Sequence, residues 1–161
     1  MTGQEVILVV DDEKVIRDGC QLMLKPEGYR VLTTENGREA MEVLAQEPVN
    51  VVLCDLKMPV MGALEVLEEA GARYPDVPII IITGYGTVAD AVECMKRGAY
   101  DFVTKPFRVD HLVLCVRRAL EKQRLARQAR QLQEEQARNL YSLALEQSRL
   151  HTIINCMADG V

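Results

Sequence analysis

No apolar run in this sequence approaches the ~20 residues that a membrane-spanning helix needs; stretches such as 77–82 are among the longest. The amino terminus lacks a basic stretch followed by an apolar one, so no secretory signal is expected. Cysteine is sparse and scattered: five residues, at 20, 54, 94, 115 and 156, with no Cys-x-x-Cys pair. That argues against a disulfide framework and a zinc site, and fits a reducing cytoplasm. With only two histidines, metal binding by imidazole is disfavoured. Positive charge is not in excess either. The net charge of −5 and pI near 5.1 leave no electrostatic footprint for nucleic acid.

What is present is the balance of a soluble globular protein, with 48% hydrophobic and 27% charged residues. The 161 residues suffice for one ordinary domain with a little left over. A domain of this length buries roughly 70% of its unfolded surface and needs no covalent or metal staple. The charge is unevenly spread. Residues 1–106 hold 18 acidic and 10 basic side chains, whereas residues 107–161 hold 6 and 9.

Proline and glycine stop early. All six prolines lie at or before Pro106 and nine of ten glycines at or before Gly98; neither occurs from 107 to 159. Those 53 residues are rich in Ala, Leu, Gln, Glu and Arg, the strong helix formers. One helix of that length would reach about 80 Å, so it needs a partner or a second domain. Leu140, Leu143, Leu150, Ile154 and Met157 fit a seven-residue repeat broken at Gln147. Upstream, the same phase gives Ala119, Ala126 and Ala129, then Gln133 and Gln136. The row predicts a coiled coil and, through it, a parallel homodimer, because exposed leucine rows are unfavourable in isolation. The plainer alternative is a single solvated amphipathic helix.

Before that boundary, Val- and Ile-rich runs alternate with amphipathic segments. Residues 6–10, 31–33, 49–54, 79–82 and 102–103 read as strands bounded by turn residues. Residues 14–25, 37–46, 63–73 and 87–97 carry helical periodicity, with Gly28 and Gly98 as stops and Asn36 and Thr87 as caps. Five repeats of strand and helix with short links demand parallel strands, right-handed crossovers and helices on both faces. The first, third and fourth strands are apolar almost throughout, as covered parallel strands should be.

Polar residues follow the strands. Val10 leads into Asp11 and Asp12, Cys54 into Asp55, Ile82 into Thr83, and Thr104 into Lys105. The carboxyl ends of parallel strands share one edge, where ligands bind in such sheets. Four places in the sequence therefore converge on one rim with three carboxylates, a hydroxyl and an ammonium. Singly, each has a plain explanation: a helix cap for Asp11 or Asp12, a turn residue for Asp55, a loop hydroxyl for Thr83, a solvated cation for Lys105. Together they point to a hard divalent cation such as Mg²⁺, which takes carboxylates and leaves room for a phosphate oxygen. Phosphoryl transfer then needs an in-line acceptor, and Asp55 is the natural one, since carboxylates form acyl phosphates. No Gly-rich phosphate loop is present, so the phosphoryl donor must come from elsewhere.

Val-Val-Asp11-Asp12-Glu, Leu-Cys-Asp55-Leu-Lys-Met-Pro59-Val-Met-Gly62, Ile-Ile-Thr83-Gly-Tyr-Gly and Gly-Ala-Tyr-Asp-Phe102-Val-Thr-Lys105-Pro106-Phe resemble the receiver domain of two-component response regulators over about residues 4–122. The stretch 83–107 is most similar to receivers of the nitrogen-regulation type. The resemblance implies a flavodoxin-like doubly wound sheet of order 2-1-3-4-5, with Asp55 phosphorylated by a sensor histidine kinase or phosphotransfer protein. It implies Mg²⁺ held by Asp12 directly, by Asp11 more peripherally, by Asp55 and by the backbone carbonyl of Lys57. Thr83 and Lys105 become the phosphoryl-sensing pair, Phe102 the switch aromatic, and Lys105–Pro106 a cis bond. Lys57 and Tyr85 border the path of a hydrolysing water. Residues 1–122 then form the receiver, 123–155 a helical coiled-coil linker, and 156–161 resemble the opening of a PAS-like sensor domain. The chain thus reads as a piece of a longer signalling protein with its output elsewhere, working in the cytoplasm without direct nucleic-acid or membrane contact.

Two other classes compete. A Mg²⁺-dependent phosphatase or phosphotransferase with an Asp nucleophile would usually carry a second Asp two residues on, where this chain has Lys57. A flavin- or nucleotide-binding domain would follow the first strand with a hydroxyl- or glycine-rich phosphate loop, where this chain has two carboxylates that repel phosphate.

Overall fold

The computed structural model describes residues 4–84 and 88–159, with side chains described at 4–84 and 89–147. Strands β1 (Val6–Val10), β2 (Arg30–Thr34), β3 (Val51–Asp55), β4 (Ile79–Thr83) and β5 (Asp101–Thr104) form one parallel sheet in the order β2-β1-β3-β4-β5. Helices α1 (Lys14–Leu24), α2 (Gly37–Gln46), α3 (Ala63–Arg73), α4 (Val88–Lys96) and α5 (Val109–Asp159) connect and follow the strands. This is the doubly wound fold expected from the sequence.

Side chains alternate across a strand, so each buried strand feeds two cores. Leu8, Val10, Val52, Cys54 and Ile81 pack on one face with Ala40 and Leu44 of α2, Val66 and Ala70 of α3, and Cys94 of α4. Ile7, Val9, Leu53, Ile80 and Ile82 pack on the other with Cys20 and Leu24 of α1 and Leu112, Val116 and Ala119 of α5. β1, β3 and β4 are buried along their whole lengths. That is why they lack the polar alternation of a half-exposed strand.

The boundaries differ from the sequence reading in ways that matter for the site. Asp55 and Thr83 are themselves the last residues of β3 and β4, not the residues after them. Main-chain pairing therefore holds both in place. β3 begins at Val51, just after Asn50, whose backbone N–H donates to the Val6 carbonyl at 2.8 Å and whose side chain also bonds. Its Oδ1 accepts from Val6 N at 2.7 Å, and its Nδ2 donates to Gln123 Oε1 at 2.9 Å. A short 3₁₀ turn at Lys25–Glu27, containing Pro26, closes α1 against Gly28, whose φ of +92° suits glycine. Asn36 caps α2, its side chain accepting from Glu39 N at 3.0 Å. The expected Thr87 cap lies outside the described residues.

The chain divides into two compact units, Met1–Arg124 and Leu125–Val161. The first contains the sheet and the opening turns of α5. Ala119, which the sequence pattern put on the coiled-coil row, is fully buried in the sheet's second core. It is therefore not available to a dimer seam. In the second unit, Leu125, Leu132, Leu140 and Leu143 are exposed. The side chains of Leu150, Ile154 and Met157 lie outside what the structure describes; of the PAS-like stretch 156–161, residues 156–159 continue α5 and 160–161 lie outside the described residues. Among the described residues, no helix is long and apolar enough to cross a membrane.

Candidate functional site

The register of the sheet builds the site. Val10 stands beside Cys54, so Asp11 leaves β1 next to Asp55 at the end of β3. Thr83 pairs with Thr104, so Lys105 leaves β5 at the same edge. Carboxylate oxygens of Asp11, Asp12 and Asp55 all lie within 4.8 Å of one another. Lys105 Nζ sits 3.0 Å from Asp11 Oδ2, 3.3 Å from Asp55 Oδ1 and 3.4 Å from Glu13 Oε1. Its backbone N–H donates to the Thr83 carbonyl at 2.7 Å, and the Lys105–Pro106 bond is cis.

These residues sit at different depths. Asp12, Asp55, Lys57, Gly84 and Lys105, with Glu13 and Leu56, line an open cleft of about 500 Å³. Asp11 is fully buried beneath it. Its Oδ1 accepts from the Glu13 backbone N–H at 2.8 Å, and Arg17 donates to its carbonyl at 2.8 Å. Asp11 and Asp12 are therefore not caps of α1; Glu13 occupies that position, with no side-chain capping bond. Thr83 is buried at the end of β4, and Lys57 is exposed at the rim. Phe102 stands apart from the cleft, half-buried on β5 against the first core. Tyr85 lies outside the described residues.

Burial and like charge set the protonation of the cluster. Burial, then the neighbouring Asp11 carboxylate, push Asp55 up to about 6, against the opposing pull of Lys105. Burial likewise raises Asp11. Burial alone would lower Lys105, but its close contact with Asp11 and the charge of Asp55 outweigh that and raise it. One ammonium thus faces three clustered carboxylates and Glu13, which leaves the edge negative. Asp11 Oδ2, although paired with Lys105, receives no hydrogen bond of good alignment. An all-oxygen donor set with surplus negative charge suits a hard divalent cation. Glu13 was not singled out by the sequence reading. Its place directly after the Asp pair, opening α1 at the same sheet edge, was the available signal.

A doubly wound 2-1-3-4-5 sheet with an acidic cluster and a lysine at its carboxyl edge defines a signalling-type α/β domain rather than a nucleotide-binding one. The chain belongs to the response regulator receiver domain family, whose pattern matches residues 7–117. It is 41% identical over 127 residues to a putative NtrX-like response regulator of Rickettsia bellii (strain RML369-C), covering 76% of this chain and 26% of that protein. It is 36% identical over 132 residues to the C4-dicarboxylate transport transcriptional regulatory protein DctD of Rhizobium meliloti (strain 1021), covering 82% and 29%. The crystal structure of NtrX from Brucella abortus in complex with ADP superposes with a TM-score of 0.75 at 35% identity, covering 78% of this chain and 29% of that one. The separate receiver domain of the same protein gives a TM-score of 0.69 at 37% identity, covering 71% and 98%. The chain spans about a quarter of the length of the curated relatives it matches. It is a receiver domain, and among its relatives are NtrX-type response regulators.

Proposed function

We propose that Asp55 is the phospho-acceptor of a two-component relay and that its phosphorylation switches this domain. The observation that carries this reading is the edge itself: three carboxylates within 4.8 Å, with Lys105 bridging two of them. A carboxylate oxygen of Asp55 attacks the phosphorus of a phosphohistidine on a sensor kinase or phosphotransfer protein. The O–P bond forms as the P–N bond breaks, and the imidazole leaves with a proton from solvent. Asp12, Asp11, Asp55 and the Lys57 carbonyl would hold Mg²⁺, which supplies charge neutralisation for the phosphoryl oxygens. Lys105 neutralises a phosphoryl oxygen, the Thr83 hydroxyl donates to another, and Phe102 relays the change to the far face of the sheet. Slow self-dephosphorylation ends the signal.

Residues 1–122 act as the receiver, 123–155 as a coiled-coil linker, and 156–161 as the opening of a PAS-like output. Two copies pair in parallel through α5, and the protein works in the cytoplasm. An aspartyl phosphatase acting on external substrates is not favoured, because Lys57 stands where the second catalytic carboxylate would be needed. The test is intact-mass measurement after exposure to acetyl phosphate and Mg²⁺. One phosphoryl group should add to the wild type and none to Asp55→Asn, while Asp12→Asn should need more Mg²⁺. Labelling of Asp55→Asn at wild-type extent refutes the assignment.

A further inference from the structure

We infer that two copies of this chain pair along a stripe that advances by eleven residues rather than seven between Leu125 and Leu143. This deepens the dimer reading above and rests on it. Leu125, Leu132, Leu140 and Leu143 of the second unit are each more than half exposed. A strict heptad through Leu140 and Leu143 would put Ala126 and Gln133 on the seam, which leaves out Leu125 and Leu132. Ala126 is already half-buried, whereas Leu125 beside it is 56% exposed.

An eleven-residue step resolves the conflict. Leu125, Ala129 and Leu132 are followed eleven residues later by Gln136, Leu140 and Leu143. Eleven residues make three turns of an α-helix with a drift of about 20°, so all six positions fall within an arc of about 80°. Arg127, Arg130, Glu134, Glu135, Arg138 and Glu146 lie off that arc. So do the exposed Tyr141 and Leu145, on the opposite side.

The occupant is a second copy because the stripe complements itself. In a parallel pair each leucine meets its own counterpart, and Gln136 meets Gln136, whose amides both donate and accept. Residues 125–161 carry four basic and four acidic side chains, so two such segments can lie side by side without net repulsion. An eleven-residue repeat does not impose the left-handed supercoil of a heptad. Its ~3.67 residues per turn give the pair a slight right-handed supercoil from Leu125 to Leu143 instead.

Disulfide scanning of the full chain tests this, in a Cys156→Ser background where the four remaining cysteines are buried. Leu125→Cys, Ala126→Cys, Leu132→Cys, Gln133→Cys, Gln136→Cys, Leu140→Cys and Leu143→Cys are each oxidised mildly. Cross-linked dimer is read on non-reducing gels, beside sedimentation of the reduced proteins. Cross-linking at 125, 132, 136, 140 and 143 should exceed that at 126 and 133 at least fivefold. Strong cross-linking at 126 and 133 with little at 125 and 132 overturns the eleven-residue seam and leaves the dimer standing. Monomeric sedimentation with no cross-link at any position overturns both.

Discussion

Replacing Asp55 by Asn should stabilise the domain when no divalent cation is present, although it removes an ion pair with Lys105. Asp55 is 7% exposed and its carboxyl is pushed from 3.8 up to about 6 by burial and by Asp11. A carboxyl whose pKa is higher folded than unfolded opposes folding once it is ionised in both states. Between the two pKa values the folded state binds more protons than the unfolded one, so stability falls as pH rises from about 4 to about 6. Above that window the full shift corresponds to roughly 3 kcal/mol. The cleft is open to water on one side, so about 1–2 kcal/mol is the expected gain for Asp55→Asn at pH 7.5. Lys105 is not stranded by the change, since Asp11 remains 3.0 Å away and Glu13 3.4 Å away. Thermal melts in EDTA at pH 7.5 should show the variant higher by about 3–8 °C. The difference should shrink towards pH 4.5. Adding Mg²⁺ should raise the wild type and narrow or reverse the gap, because a ligand of the native state stabilises it. A variant no more stable than wild type in EDTA at pH 7.5 would refute the electrostatic reasoning.

Other outcomes follow from single contacts. Gly37→Ala should destabilise by about 1–3 kcal/mol in urea titrations although alanine favours helix. Its Cβ would lie 2.6 Å from Val66 Cγ2 and 2.7 Å from the Met61 carbonyl oxygen; an unchanged midpoint would show that α2 and α3 yield easily. Asn50→Ala should cost about 2–3 kcal/mol, because it strips partners from Val6 N and Gln123 Oε1 together. Equal stability of that variant and wild type would mean water replaces both bonds. The full chain should sediment as a dimer and a version ending after Arg124 as a monomer; identical behaviour would show that the helix beyond the first unit does not pair the chains.

The fold was legible because one physical rule dominates it. Strands covered on both faces must be apolar throughout, and β1, β3 and β4 are. Helix punctuation was equally direct: Asn36 caps α2, and Gly28 and Gly98 take positive φ where segments end. Strand ends were less legible. Asn50 looks like the start of a strand because it sits inside a Val-rich run, yet its amide serves Val6 and Gln123 across the sheet. Such a bond links residues 73 apart in sequence, and no local pattern reports it. Ala119 misled for the same reason. Helical periodicity gives a residue's face but not what that face meets, and here it meets the sheet.

The site divides along the same line. Its membership came from topology, since parallel strands bring their carboxyl ends to one edge, and Asp11, Asp12, Asp55 and Lys105 are gathered there. Depth did not follow from topology. Asp11 and Asp12 are neighbours in a pair that reads as equivalent, yet one is fully buried and bonded to the Glu13 backbone while the other lines the cleft. A strand alternates its side chains, so two adjacent residues at its end leave towards different sides. Only the buried one is held by the fold. Asp12 is thus the carboxylate free to change partners at the rim, while burial first and the neighbouring Asp11 carboxylate second keep Asp55 hard to ionise. Lys105 works against both from three contacts at once. One carboxylate of the pair sets the field in which Asp55 titrates; the other is placed to receive whatever cation offsets it.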